Sequence, residues 1–186
     1  MTLALQISRM ASPLGTLLLI HHDNILHVLD FEDQYLSPAN PPLDHPANPL
    51  ARLLRSYRPY SLINAENPSE KFLTAYFNGD LTALDPISAA PAGTDFQRRV
   101  WSALSAIKPG TTTTYGAIAR AIGAPNANRA VGLAIGANPV ALVIPCHRII
   151  GANGSLTGYN GGLPRKSWLL AHEAASAAKI AANPSR

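Results

Sequence analysis

The sequence predicts an α+β fold, in which a small sheet with helices precedes a mostly helical region. Three short apolar runs near the N-terminus are separated by turn-forming residues, a pattern typical of neighbouring strands. Apolar residues three and four positions apart recur in the second half, as in amphipathic helices. Pro91-Ala92-Gly93 predicts a linker, so we expect an N-terminal domain at residues 1–90 and a C-terminal domain at 91–186.

The composition narrows the class of protein. Apolar residues make up 47% of the 186 residues and charged residues 14%, which excludes an intrinsically disordered chain. No apolar run has the length of a membrane span and the first residues do not resemble a secretory signal, so we expect no membrane partner. The single cysteine excludes an internal disulfide framework and a cysteine-rich zinc cluster, and the expected compartment is a reducing cytoplasm.

The N-terminal elements follow from the apolar runs and their boundaries. Strands are predicted at 3–7, 14–20 and 25–31, a proline-rich loop at 37–49, and helices near 50–57 and 70–77. Four histidines in this half lack tight ligand spacing, so we interpret them as structural or surface residues rather than metal ligands: His21, His22, His27 and His45. We assign no chemistry to this half.

The C-terminal half begins with a predicted capping box. Thr94 and Gln97 have its spacing, and the helix that they open should end before Pro109-Gly110. A helix from Tyr115 to Ile122 follows, Gly123-Ala124-Pro125 breaks it, and a second helix extends to about Ala137. The second helix has a predicted inner face of Ala127, Ala130, Val131, Ala134 and Ile135.

This helix pair is a candidate DNA-binding helix-turn-helix. Arg129, Gly132 and Gly136 share the outer face of the second helix, where small residues permit close approach to another surface. Residues 1–92 carry a net charge of −4 and residues 93–186 a net charge of +8, which favours a polyanionic partner. The alternatives are an ordinary helical hairpin and a solvated basic surface.

Cys146 is the candidate reactive residue. The apolar run at 141–144 predicts a buried strand that stops at Pro145, and Cys146-His147-Arg148 follow directly. Neighbouring cations should lower the pKa of the thiol and favour the reactive thiolate. The alternative is that Cys146 is a small buried apolar residue.

His147 is a candidate base for Cys146. Adjacent side chains on a strand point to opposite faces, so His147 needs either a backbone turn after Pro145 or an intervening water to act on the thiol. The base also needs an orienting acid, and the second half has only Asp95 and Glu173. We therefore predict a Cys146–His147–Glu173 relay. The glycine-rich segment at 151–162 is a predicted loop that lines a pocket, or else a flexible surface loop.

Together these residues resemble the O6-alkylguanine-DNA alkyltransferases of the bacterial single-function type. The resemblance extends from Gly93 to Glu173, and Ile144-Pro145-Cys146-His147-Arg148-Ile149 is its strongest element. Its other motifs are Phe96-Gln97 with Val100-Trp101, Thr114-Tyr115-Gly116, Asn128-Arg129-Ala130-Val131-Gly132, Asn138-Pro139, Gly158-Tyr159 with Gly161-Gly162, and Lys166 through Glu173. The first 90 residues match only in general layout, which in the family is a ribonuclease H-like sheet with helices.

The resemblance implies direct-reversal DNA repair. A guanine with an alkylated O6, and an O4-alkylthymine as well, is flipped out of the duplex, and a cysteine thiolate takes the alkyl group irreversibly. One chain repairs one lesion, without a cofactor. Some members hold a structural zinc in the N-terminal region, but a single cysteine leaves too few thiols here, so we expect no such metal. The family presents its helix-turn-helix to the minor groove, and we expect a monomer.

The resemblance also implies a role for each matching residue. Cys146 is the alkyl acceptor, His147 the base that acts through a water, Glu173 the acid that orients His147, and Asn138 a brace for this network. Tyr115 supports the flipped nucleotide and donates to the leaving purine, and Arg129 fills the vacated space in the stack. The remaining expected contacts with substrate or DNA are Tyr159, Lys166, Asn160, Arg148, Gly132 and Ala130.

Three functions compete at this point: stoichiometric alkyl transfer to Cys146, a lesion-recognition module without transfer, and a cysteine hydrolase that uses Cys146 and His147. Only the first uses Tyr115, Arg129, Cys146 and Glu173 together. Alkyltransferase-like binding proteins replace the acceptor cysteine, so Cys146 argues against that class.

Overall fold

A computed structural model describes residues 2–42 and 45–182. It confirms the α+β class, with a sheet in the first half and most of the helices in the second. The proline-rich loop predicted at 37–49 is described except for residues 43 and 44. The outer ends of the two predicted domains, residue 1 and residues 183–186, also lie outside the described residues.

A four-stranded sheet with the order β3-β2-β1-β4 dominates the N-terminal half. Its strands are β1 (Leu3–Ser12), β2 (Gly15–His22), β3 (Ile25–Phe31) and β4 (Tyr60–Asn64). The first three form the predicted meander, whereas β4 was not predicted and pairs in parallel with β1. The sequence gives little indication of β4 because none of its residues is fully buried.

Six α-helices lie within the part of the chain that the structure describes. They are α1 (Pro49–Leu53), α2 (Glu70–Phe77), α3 (Asp95–Ser105), α4 (Tyr115–Ala121), α5 (Asn128–Gly136) and α6 (Leu163–Ala182). The predicted capping box begins α3: Thr94 Oγ1 accepts from the Gln97 amide, and Gln97 Oε1 accepts from the Thr94 amide. Within the described residues, no helix is both long enough and apolar enough to cross a membrane.

The segment before Cys146 differs from its prediction. Residues 141–144 form turns rather than a strand, and Leu142 adopts a left-handed conformation with φ of 68°. Only the preceding Val140 makes a strand-like bridge, to Leu29 of β3. The prediction was wrong because a short apolar run indicates burial, and a buried turn produces the same run as a buried strand.

Cys146 therefore begins a 3-10 turn, Cys146–Arg148, instead of ending a strand. The backbone turn that His147 requires is present, since Pro145 has ψ of 64°. Directly after it, β6 (Ile149–Ile150) pairs in parallel with β5 (Thr113–Thr114), which precedes α4. The short sheet thus fixes the reactive segment next to the helix-turn-helix.

One apolar core crosses the predicted domain boundary. It joins Leu17 and Leu29 of the sheet to Leu104 of α3 and Leu169 of α6, and all four are fully buried. Full burial of one such side chain stabilises the fold by about 1.5–3 kcal/mol. The N-terminal sheet therefore supports the helical half that carries Cys146.

Candidate active site

Cys146 lines a cavity of about 410 Å³ between α5 and the glycine-rich loop. The cavity brings together side chains that the sequence predicted separately: Tyr115, Gly132, Asn138, Cys146, Tyr159 and Asn160. A larger cavity of about 790 Å³ is lined by Arg148 and Pro145 but not by Cys146. The smaller cavity is the candidate site because it contains the reactive atom.

Asn138 holds the Cys146 segment in place. Its Nδ2 donates to the Ile144 carbonyl at 2.8 Å and to Cys146 Sγ at 3.3 Å. Its Oδ1 accepts from the Val140 amide at 3.1 Å. One buried side chain thus positions the backbone before Cys146 and contacts the sulfur itself.

His147 and Glu173 form a fully buried pair, with His147 Nε2 2.9 Å from Glu173 Oε1. The same oxygen accepts from Arg148 Nη2 and from the Tyr76 hydroxyl, each at 2.8 Å. Glu173 Oε2 accepts from Arg148 Nε and the Gly110 amide, each at 3.0 Å. Five donor atoms therefore fix the carboxylate, which in turn orients the imidazole.

The charge states of this pair follow from burial and hydrogen bonding. Burial alone would raise the pKa of Glu173, but His147 and Arg148 outweigh it and hold that pKa below its usual value. Burial lowers the pKa of His147 despite the nearby carboxylate. A neutral imidazole that donates Nε2–H to Glu173 leaves Nδ1 as an acceptor, and Nδ1 has no protein partner among the described residues.

The pKa of Cys146 shifts in the direction opposite to the one expected from its sequence neighbours. Burial raises it to about 11, although the Asn138 hydrogen bond and Lys166 oppose the shift. The prediction was wrong because Arg148 is paired with Glu173 and does not offset the burial of the thiol. The resting thiol is therefore protonated at neutral pH and needs a base.

Two residues expected to contact substrate or DNA lie elsewhere. Arg148 is 5% exposed and donates to Glu173 and the Ile107 carbonyl, so its guanidinium is directed inward, which corrects the DNA-contact expectation. Lys166 is fully buried, and its Nζ donates to the Thr157 and Gly158 carbonyls. Lys166 thus holds the glycine-rich loop and does not line the cavity.

The outer face of α5 borders the cavity. Gly132 and Gly136 line it, and Arg129 is exposed on the same helix. Ala130 is exposed as well, so its placement on the inner face was wrong, while Val131, Ala134 and Ile135 are buried as predicted. The exposed position of Ala130 leaves it accessible to a partner of α5.

The N-terminal half contributes two side chains that the sequence analysis missed. Asp30 of β3 lines the cavity, and Tyr76 of α2 donates to Glu173. The prediction that the N-terminal half takes no part in the site was therefore wrong. The sequence does place an acid in the apolar run of β3, but only the tertiary structure shows that this position meets the cavity.

Comparison with known proteins identifies the family. The family model described as 6-O-methylguanine DNA methyltransferase, DNA binding domain, matches residues 95–175. A methylated-DNA–protein-cysteine methyltransferase of Mycolicibacterium paratuberculosis is 46% identical over 167 residues, which cover 87% of this chain and 88% of that protein. The chain belongs to the methylated-DNA–protein-cysteine methyltransferase family.

Solved structures extend this match to the whole fold. A crystal structure of the Mycobacterium tuberculosis O6-methylguanine methyltransferase is 40% identical, covers 92% of this chain and 94% of that one, and has a TM-score of 0.74. A structure of Mycobacterium tuberculosis OGT in complex with DNA has the same identity and coverage and a TM-score of 0.75. The methylated-DNA–protein-cysteine methyltransferase fold therefore includes the N-terminal half of this chain.

Proposed function

We propose that this chain repairs alkylated DNA by transferring the alkyl group of O6-alkylguanine, and of O4-alkylthymine, irreversibly to Cys146. Family membership supports the reaction class. The observation that carries the assignment to Cys146 is its position: the only thiol of the chain lines a cavity next to a buried His147–Glu173 pair. No step regenerates the thiol, so each chain acts once.

The chemistry is a displacement at carbon. His147 Nδ1 takes the thiol proton through a water, and Glu173 stabilises the imidazolium that forms. Cys146 Sγ then forms a bond to the alkyl carbon, the carbon–O6 bond breaks, and guanine keeps the electron pair. Tyr115 lines the cavity, and its hydroxyl donates a hydrogen bond to the leaving purine, which takes its proton from water while the imidazolium of His147 returns its own proton to the solvent.

The raised pKa of Cys146 is compatible with this mechanism. A thiol with a pKa of about 11 is a weak nucleophile when protonated and a strong one once its proton is removed. The raised pKa keeps the population of thiolate in the free protein low. The chain thereby avoids a standing thiolate that would react with other electrophiles.

We propose that α5 delivers the damaged base to this cavity. The alkylated oxygen cannot be reached inside a base stack, so the nucleotide is flipped out, and Arg129 fills the space that it leaves. Gly132 and Gly136 allow the helix to approach the minor groove closely. A monomer is sufficient, because every side chain of the proposed mechanism comes from one chain.

The test is the intact mass of the protein after incubation with a duplex that carries one O6-methylguanine. The expected result is a gain of one methyl group, limited to one per chain and absent in Cys146→Ser, which should still bind the duplex. Tight binding without a mass change would indicate a recognition module instead. If the protein neither binds the duplex nor gains mass, the hydrolase hypothesis for Cys146 and His147 would be favoured instead.

A further inference from the structure

Asp30 is a carboxylate of the N-terminal sheet that lies in the wall of the acceptor cavity. It is 6% exposed and occupies the next-to-last position of β3. Its Oδ1 accepts from the Phe31 amide at 2.8 Å and from the Gln34 side chain, and its Oδ2 accepts from the Tyr35 hydroxyl at 3.2 Å. These contacts fix the carboxylate at one place in the wall.

No cation in the cavity wall balances this charge. Among the described residues that line the cavity, none is Lys, Arg or His, and Asp30 is the one carboxylate. Of the neighbouring cations, Arg148 is paired with Glu173 and Arg165 with Asp33, whereas Lys166 donates to loop carbonyls and acts on Cys146 from outside the cavity wall. Asp30 is therefore the charged side chain that the cavity wall itself presents to an adduct.

The field of Asp30 reaches the acceptor atom. Burial is the main reason that the pKa of Cys146 is raised, and the negative charge of Asp30 adds to it. Asp30 acts in the same direction on the pKa of Tyr159, which is raised mainly by burial. Asp30, Cys146 and Tyr159 line the same cavity, so a charge placed in that cavity also lies within the field of the carboxylate.

The adduct on the flipped base must enter this same space. Cys146 Sγ attacks the carbon attached to O6, so any group beyond that carbon lies in the cavity. A methyl group brings no charge, whereas a carboxymethyl group brings a carboxylate into a partly enclosed site that already holds one. Like charges at short distance in such a site repel each other strongly.

We propose, resting on the proposed function, that Asp30 is a specificity residue that selects against negatively charged O6 adducts and leaves transfer of neutral alkyl groups intact. The displacement itself is unchanged for a carboxymethyl adduct: the sulfur–carbon bond forms, the carbon–O6 bond breaks, and guanine takes the electron pair. Asp30 affects the thiol equally for both adducts, and it acts selectively on the free energy of placing a charged adduct next to Cys146.

The first test compares single-turnover transfer from duplexes that contain O6-methylguanine or O6-carboxymethylguanine. Asp30→Asn keeps the side-chain oxygen that accepts from Phe31 and removes the charge. The ratio of carboxymethyl to methyl rates should rise about tenfold, equivalent to about 1.4 kcal/mol. An unchanged ratio in Asp30→Asn would overturn the proposal, whereas absence of methyl transfer by the unaltered protein would overturn the proposed function itself.

Asp23→Asn is the matched control. Asp23 is 82% exposed in its side chain and lies in the turn before β3, whose opposite end carries Asp30; the strand from Ile25 to Asp30 alone spans about 17 Å at 3.3 Å per residue. The substitution removes the same charge from the same half of the protein without touching the cavity. Its rate ratio should equal that of the unaltered protein, and an equal rise in both variants would contradict a local effect of Asp30.

The second test needs no variant. Burial raises the pKa of Asp30 to about 6, so Asp30 gains its proton as pH falls through that value, while the adduct carboxylate stays ionised. The rate ratio of the unaltered protein should therefore rise between pH 8 and pH 5.5. The titratable groups that face Asp30 are Asp33, Tyr35, Cys146 and Tyr159. Titration of the thiol or of its base changes the two transfer rates by the same factor and therefore leaves their ratio unchanged. A ratio that stays constant between pH 8 and pH 5.5 would overturn the proposal.

Discussion

Cys146 is a buried thiol that must nevertheless act as a nucleophile. Its side chain is only 9% exposed and burial raises its pKa, so the free protein holds the thiol in its protonated form. Reactivity then depends on His147, whose Nδ1 is left available by the hydrogen bond between Nε2 and Glu173. The site is organised to create a thiolate on demand rather than to store one.

We expect iodoacetamide to alkylate Cys146 of the free protein about tenfold more slowly than N-acetylcysteine at pH 8. A pKa of about 11 instead of the usual 9.0 leaves about one hundredth of the thiolate. The more basic thiolate is also the better nucleophile, which recovers about tenfold in rate, so the net effect is about a tenfold decrease. The rate should still be increasing at pH 10. A rate that levels off below pH 8 would contradict a raised pKa.

Arg129→Ala should reduce methyl transfer at least about tenfold more than it reduces affinity for an unmodified duplex. A side chain that fills the space of a flipped base acts on flipping, whereas a phosphate contact affects affinity without specificity. Arg120→Ala removes the same charge from the exposed end of α4 and serves as the control. Equal losses of transfer and affinity in Arg129→Ala would make Arg129 a phosphate contact.

At the scale of the element, α5 carries glycines in places where they weaken a helix. Glycine costs a helix interior about 1 kcal/mol relative to alanine. A Cβ added to Gly132 would lie 3.8 Å from the nearest ring atoms of Tyr115, which is an ordinary contact. Packing inside the protein therefore does not require glycine at this position, which leaves the two surfaces open to a ligand: the cavity that Gly132 lines and the helix face proposed to approach DNA.

Gly132→Ala should therefore maintain or raise the free energy of unfolding, by up to about 1 kcal/mol, and weaken duplex binding. Urea unfolding and a duplex titration measure the two effects separately. Unchanged duplex affinity in a normally folded Gly132→Ala protein would mean that this face of α5 does not pack against DNA.

Elements defined by local interactions were predictable, and elements defined by distant ones were not. The capping box of α3 depends on Thr94 and Gln97 alone, and both of its hydrogen bonds form. The strand β4 exists because it pairs with β1, more than 50 residues away in the chain. The turn before Cys146 depends on the bridge between Val140 and Leu29, which no local pattern reveals.

The same distinction between local and distant interactions explains which site residues the sequence predicted and which it missed. Cys146, His147 and Asn138 lie within nine residues of one another, and their motif indicates them directly. Tyr76 reaches Glu173 across 97 residues of chain, and Asp30 comes from the opposite half. At the scale of the whole molecule, the N-terminal half is therefore part of the reactive site. The division of the chain into domains at 1–90 and 91–186 stays a prediction.

Tyr76→Phe should lower the free energy of unfolding by about 1.5–3 kcal/mol, because it removes a buried hydrogen bond to a charged carboxylate. It should also slow methyl transfer severalfold, since Glu173 loses one of the donors that fix it. Tyr57→Phe removes a hydroxyl that contacts His27 and Ala90 instead, and should leave the transfer rate unchanged. Equal transfer rates in the two variants would show that Tyr76 only stabilises the fold.

The buried thiol also determines how many lesions a population of these molecules can reverse. Because each chain acts once, an acceptor oxidised by peroxide before it meets DNA is lost to repair. Oxidation to sulfenic acid proceeds through an exposed thiolate, and Cys146 is neither exposed nor ionised at rest. Both features slow the oxidation of a molecule that waits for a lesion, so fewer acceptors are lost before they meet DNA.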